Sequence, residues 1–426
     1  MDPIVYLGLG AIVVMLALGV EILVCLGLGA VILTFAQSQF QINNIGITAF
    51  GAIDSFPLLA MPLYILTGDL IAHSGIAERL VNFSRTLIGW LRGGLAVTLI
   101  LASGFFAAIS GSNSATVAAM GRMMVGPMRK DGYPDDFTAA VAACGGTVGI
   151  IIPPSIVFVI YGVASGVSVG DLFLGGILPG ILMVAVMVLV STIVCHRRKV
   201  GSAFPFSLRA MLREGWRANL AFGATAVILG GIYGGVFTPS EAAAIAVAYC
   251  LVAGLVVTRE IKPRDIPAIT NRSSDIAGLV APIIAMAIAL SQVMGVLGLP
   301  KAAVDFFLGL SSDPTVLMLL ILVVLLIAGM IMETTPVVLL LTPLLVPVAN
   351  SIGIHPVHFG VVVVMALAIG FVTPPVGLNL FVASAITGVP VHRVAASSVL
   401  IIVGLLAVLL LVAFVPQLTL ALVPSR

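Results

Sequence analysis

Seven consecutive residues, Ser110-Gly111-Ser112-Asn113-Ser114-Ala115-Thr116, put four hydroxyls, one amide and a glycine between two apolar runs. Hydroxyl and amide oxygens, with the carbonyls of an unwound turn, are hard neutral ligands of the kind that suits Na⁺. A single membrane serine more often bonds its own helix backbone, and that structural use is the plain alternative for any one of them. A cluster at one turn favours ligand binding. Farther along, Gly145-Gly146-Thr147 precede Gly149-Ile150-Ile151-Ile152-Pro153-Pro154-Ser155. A proline pair removes backbone donors and breaks a helix. In lipid the freed carbonyls must find protein, water or ion partners. Ser155 then opens a new half-helix, whose N–H groups and partial positive charge favour a carboxylate.

The pattern recurs 221 positions later: Gly370-Phe371-Val372-Thr373-Pro374-Pro375-Val376, followed by Gly377 and Asn379, answers Gly149–Ser155. Its polar turn is Ile331-Met332-Glu333-Thr334-Thr335-Pro336. The same offset takes Ser114 to Thr335 and Gly132 to Gly353, whereas Gly75 to Gly298 needs 223. One isolated proline pair reads as a structural kink. Two pairs in register with two polar tips read as the paired broken helices of a transporter. Glu333 is costly at membrane depth and is functional by default, either aiding a cation site or capping the return helix. Asp69 and Glu21 read as structural pairing groups. Thr238-Pro239-Ser240-Glu241 reads as a capped helix start.

The elements that hold these residues follow from composition. Only 8% of the 426 residues are charged and 61% are hydrophobic, and the mean hydropathy is +1.26. A soluble domain is nearer a quarter charged. The chain is therefore expected to be an all-α polytopic membrane protein, with about ten to fourteen crossings or half-crossings. The arms returning from the two tips, 115–127 and 336–348, measure about 20 Å as helices, too short to span. Each tip is thus expected on a re-entrant hairpin, about 93–128 and 315–348, facing a broken helix, about 136–166 and 357–388. Arg79, Arg85, Arg92, Arg122, Arg129 and Lys130 flank the first hairpin, against Lys301 with Asp305, Asp313, His355 and His358 at the second. The positive-inside rule then opens the first hairpin from the cytoplasm and the second from outside, so the repeats are inverted.

Counting spans gives a first half over 1–195, a basic connector over 196–217 and a second half over 218–426. Two helices are expected over about 3–37, a third over 50–72, others over 172–194, 218–235, 240–258 and 276–298, and a last over 395–422. Both termini fall on the periplasmic side. The apolar N-terminus lacks a basic leader and is not read as a cleavable signal. The connector reads as an amphipathic surface helix with Trp216 as an interfacial anchor.

Other chemistries are excluded by what is missing. No glycine loop ending in lysine and a hydroxyl residue is present, so ATP hydrolysis by that route is out. No His, Cys or Glu set has metalloenzyme spacing, no chain of membrane histidines suggests a proton wire, and Cys25, Cys144, Cys195 and Cys250 are scattered as packing residues. A net charge of +2 gives no reason to expect nucleic acid. With no other cofactor indicated, the driving force is expected from an ion gradient, with Na⁺ favoured over H⁺.

Arg92-Gly93-Gly94-Leu95-Ala96, Ile109-Ser110-Gly111-Ser112, the run 149–155, Gly234-Gly235-Val236-Phe237-Thr238-Pro239-Ser240-Glu241-Ala242-Ala243 and the run 370–377 carry a resemblance over nearly the whole chain. The sequence resembles the large membrane subunit, of dicarboxylate-transporter type, of tripartite ATP-independent periplasmic (TRAP) transporters. The resemblance implies a bacterial inner-membrane, elevator-type symporter. It also implies a separate small membrane subunit and a periplasmic binding protein that delivers a small organic acid. It implies one cation at Ser112, Asn113, Gly149 and Pro153 and another at Thr334, Thr335, Gly370 and Thr373. Ser114, Thr116, Ser155, Gly377 and Asn379 are the candidates for substrate contact. Val376 stands where the first break has Ser155, so the two sites are not expected to be equivalent. The alternatives are a stand-alone ion-coupled anion transporter of related architecture, an anion channel and, least favoured, a membrane enzyme.

Overall fold

The computed structural model describes residues 3–35, 42–202 and 204–424, and among them every regular element is helical. The chain opens with α1 (Pro3–Ala17) and α2 (Ile22–Thr34), then α3 (Asn43–Ile53), a 3₁₀ turn over Phe56–Leu59 and α4 (Ala60–His73). The expected single helix over 50–72 is thus two, because Pro57 ends the first and starts the second. At 15 and 13 residues, α1 and α2 are shorter than a perpendicular crossing requires.

The first repeat continues with α5 (Ile76–Ile88), α6 (Gly94–Ser110), α7 (Asn113–Lys130), α8 (Asp135–Gly146) and α9 (Ile156–Ser165). The halves are joined by α10 (Val169–Arg198) and α11 (Leu208–Arg217), so helix occupies only the two ends of the connector. Next come α12 (Asn219–Tyr233), α13 (Pro239–Val252) and α14 (Ile266–Val296). The second repeat holds α15 (Leu299–Leu310), α16 (Pro314–Ile331), α17 (Thr334–Ser351), α18 (Pro356–Gly370) and α19 (Leu378–Thr387), closed by α20 (Val391–Phe414) and α21 (Gln417–Leu420). Seven of the described helical stretches are long and apolar enough to cross a bilayer.

The return arms α7 and α17 are 18 residues each, longer than the expected 13. The expected arms ended at Pro127 and Val348, whereas the helices run on to Lys130 and Ser351, with Pro127 inside α7 and Pro343 and Pro347 inside α17. Pro336 is the third residue of α17, where the missing N–H would have had no intrahelical partner. Arm length of about 27 Å therefore does not by itself make the hairpins re-entrant.

The two repeats interlock. The post-break helix α19 packs on α7 and α8 of the first repeat, and the post-break helix α9 packs on α17 of the second. Gly132 and Gly353, one offset apart, both adopt φ near +75° (79° and 75°) after their return arms. Beside this body, α14 packs on α2, α3 and α4, and α13 on α4. Thr238 caps α13 as its sequence implied: its hydroxyl accepts from Glu241 N–H at 3.3 Å, and Glu241 Oε2 accepts from Thr238 N–H at 2.8 Å. Asp69 of α4 accepts from the Ser273 hydroxyl of α14 at 2.8 Å, a structural pairing.

Candidate functional site: two tip-and-break junctions

The first tip is reduced to Gly111 and Ser112, since the helix resumes at Asn113. Gly111 turns there with φ +61°, and its carbonyl accepts from Ile156 N–H of the broken helix at 3.4 Å. A methyl group on Gly111 would sit 2.7 Å from the Pro154 carbonyl oxygen. One on Gly149 would sit 2.5 Å from the Ser112 carbonyl oxygen. Glycines are thus what let two backbones meet closely enough to pool their carbonyls. Both Pro153 and Pro154 are buried, and the Pro153–Pro154 peptide is cis. The glycine face of α10 seals this break from behind, with Gly176 against the Ile151 carbonyl.

The second junction repeats the contact. Gly377 N–H donates to the Met330 carbonyl at 3.2 Å, and Gly377 is the residue 221 positions after Ile156. Gly370 packs on Gly329, where a methyl would lie 2.6 Å from the carbonyl carbon. The structure thus brings Gly370 to the last turn of α16. The Pro374–Pro375 peptide is also cis, but both of these prolines and Glu333 are exposed. The prolines of the first break are thus buried and those of the second exposed.

Hydrogen-bond accounting separates the candidates. The Thr116 hydroxyl donates to the Ser112 carbonyl at 2.7 Å and lies 3.1 Å from Ser110 Oγ. Ser155 donates to the Ile150 carbonyl at 2.7 Å while capping α9 at Phe158 N–H. Thr373 donates to the Ile369 carbonyl at 2.7 Å, and Thr335 lies 3.4 Å from Glu333 Oε1. Each of these hydroxyls keeps lone pairs but has its proton engaged. Ser114 lies exposed beside the tip.

Four buried side-chain atoms at the junctions have no partner: Asn113 Oδ1 and Nδ2, Asn379 Oδ1 and Thr334 Oγ1. Asn379 is fully buried, and its Nδ2 donates to the Ala143 carbonyl of α8 at 3.2 Å. Both Asn379 Nδ2 and the Asn113 carbonyl oxygen lie within 3.1 Å of where a β-carbon on Gly146 would be. A residue grouped by sequence with the second break therefore lies at the first. Ser103 of α6 is a further buried, unpartnered hydroxyl, 2.9 Å from the β-position of Gly145. Sequence reading passed over it because one serine in an apolar helix has no distinguishing spacing.

A cavity of about 570 Å³ lies elsewhere, between Ser55–Pro57, the α9–α10 turn and Thr238–Ser240. No charged side chain lines it and none of the unpartnered atoms faces it.

Residues 9–418 match the tripartite ATP-independent periplasmic transporter, DctM component, family. The chain belongs to that family. It is 37% identical to the C4-dicarboxylate TRAP transporter large permease protein DctM of Pseudomonas aeruginosa, over 93% of each chain. It is 37% identical to the sialic acid TRAP transporter large permease protein SiaM of Vibrio cholerae, over 87% of each. It is 38% identical to the isethionate TRAP transporter permease protein DctMQ of Oleidesulfovibrio alaskensis, over 97% of this chain but only 65% of that longer protein. Among solved structures it resembles the YdaH transporter of Alcanivorax borkumensis, with TM-score 0.66 and 16% identity over 93% of this chain and 97% of that one. That likeness shows the fold alone. Membership in DctM makes this chain a transporter permease and not an enzyme.

Proposed function

We propose that this DctM-family chain is the large membrane subunit of a Na⁺-coupled uptake system for a small organic acid. A small membrane subunit and a periplasmic binding protein that delivers the acid are its partners in this reading, and the bacterial inner membrane is its location. The single observation that carries it is the set of unpartnered buried atoms on Asn113, Asn379 and Thr334. Leaving such groups unsatisfied costs about 1–3 kcal/mol each, which a ligand's own donors and acceptors would offset. The donor set fits Na⁺: backbone carbonyls at Ser112 and Pro154, with hydroxyls whose protons already point at carbonyls. Thr116 and Ser155 accordingly suit a cation better than a carboxylate. Asn113, whose Nδ2 is free to donate, and Asn379, whose Nδ2 has a second N–H beyond the one given to Ala143, are better placed for the acid.

The names of the relatives cover C4-dicarboxylate, sialic acid and isethionate. All are small organic anions, and the N-termini of α9 and α19 favour such charge. In this reading the hairpins and broken helices move together against a scaffold of α2, α3, α4, α13 and α14. Reconstitution of the chain with its small subunit and binding protein tests it. An inward Na⁺ gradient is expected to drive accumulation of the acid above its external concentration. Equal uptake under a K⁺ gradient would overturn the coupling, and uptake by the chain alone would favour a stand-alone transporter.

A further inference from the structure

The helix α11 has no part in the transport site, yet its surface is ordered in a way that calls for a partner. Successive helical residues are about 100° apart, so Leu208, Leu212 and Trp216 form one stripe. They are 56%, 63% and 78% exposed. Arg209, Arg213 and Arg217, each one position on, form the adjoining stripe and are exposed too. The third side faces the protein. There Glu214 is buried and holds Arg213 and Arg217 at 3.2 Å each, and Gly215 lies against the Phe83 ring. Arg79 of α5 donates to the Arg217 carbonyl at 3.5 Å. Arg209 has no carboxylate partner among the described residues.

We propose that α11 is a binding surface for anionic phospholipid, with its leucine–tryptophan stripe in the acyl boundary and its arginine stripe on the headgroup phosphates. The order of the three sides is what decides this. Passing round the helix, protein contact gives way to exposed apolar side chains and then to guanidinium groups. A helix lying along a leaflet meets protein, hydrocarbon and headgroup in that order. Guanidinium groups match phosphate oxygens through paired hydrogen bonds, and basic rows beside a membrane attract anionic lipid. One buried carboxylate against three arginines leaves the row net positive. A protein partner would have to offer an apolar groove and an acidic ridge at the same register, and nothing else in the described structure points to one.

The chain has two tryptophans, Trp90 and Trp216, so Trp90→Phe leaves Trp216 as the only strong emitter. The full chain, with its small subunit and the scaffold protein in tryptophan-free form, would be placed in phosphatidylcholine nanodiscs. These would contain a fixed fraction of brominated phosphatidylglycerol or of brominated phosphatidylcholine. The expected result is quenching of Trp216 by both, stronger by about twofold or more for the anionic lipid. That preference should fall towards one in Arg209→Gln and in high salt, which screens headgroup attraction without altering the fold. Equal quenching by the two lipids in low salt would overturn the headgroup claim. Absence of quenching by either would show the stripe covered by protein and overturn the proposal altogether.

Discussion

The side-chain amide of Asn379 donates to the Ala143 carbonyl at 3.2 Å, joining the helix after the second break to the helix before the first across 236 residues. Its Oδ1 remains buried and unpartnered at the same place. The Nδ2 amide carries a second N–H that can donate to a carboxylate, so Asn379→Ala should raise KM for the transported acid about tenfold or more, since a hydrogen bond to a charged group is worth about 1.5–3 kcal/mol. Initial uptake rates at saturating Na⁺ would show it. An unchanged KM would remove Asn379 from the substrate site.

Close backbone contact at the first junction gives a second expectation. Gly149→Ala puts a methyl 2.5 Å from the Ser112 carbonyl oxygen, so tip and break must part. Uptake should fall at least about tenfold and Na⁺ activation should move to higher concentration, as cores resist even one added carbon. Gly126→Ala is the control: its β-position meets nothing within 4 Å, and alanine favours the helix by up to about 1 kcal/mol. Equal behaviour of the two variants would show that the junction tolerates separation.

Thr334 is buried with an unpartnered hydroxyl. Thr334→Val keeps the shape and removes the unsatisfied group. In Na⁺-free buffer the Tm is expected to hold or rise, because the desolvation cost of about 1–3 kcal/mol is relieved. The Na⁺-induced rise in Tm should shrink. A variant that loses Tm without Na⁺ and keeps the full ion-induced shift would place Thr334 in the structure rather than in the ion site.

The repeat was legible because proline pairs, tip hydroxyls and glycines recur at one offset. Helix ends were less so: Pro127, Pro343 and Pro347 look like breakers locally but sit inside α7 and α17, where packing overrides propensity. What could not be read was which half each break faces. Asn379 was grouped with Glu333 and Thr373 because they are near in sequence. The packing of α19 on α7 and α8, and of α9 on α17, is a non-local pairing with no spacing signal. Ser103 was missed for the same reason.

His358 ties the start of α18 to the end of the chain. It is 2% exposed, with Nδ1 2.8 Å from Thr419 Oγ1 and Nε2 3.2 Å from the Ala413 carbonyl. His358→Phe should destabilise by about 1–3 kcal/mol, as buried partners are left unmet. Thermal unfolding in detergent would record the fall. Because the ring is outside both junctions, the Na⁺ activation midpoint of the folded fraction should not move, and a shifted midpoint would mean that the C-terminal packing reaches the site.

Two tip-and-break junctions built from oppositely oriented repeats underlie the proposed transport cycle. All four native cysteines are buried, and a cysteine-free background carrying either Gly132→Cys or Gly353→Cys isolates the two equivalent turns after the return arms. Membrane-impermeant maleimide applied to right-side-out vesicles is expected to label Gly353→Cys, and Gly132→Cys only once the membrane is opened. Labelling of both from one side would contradict it.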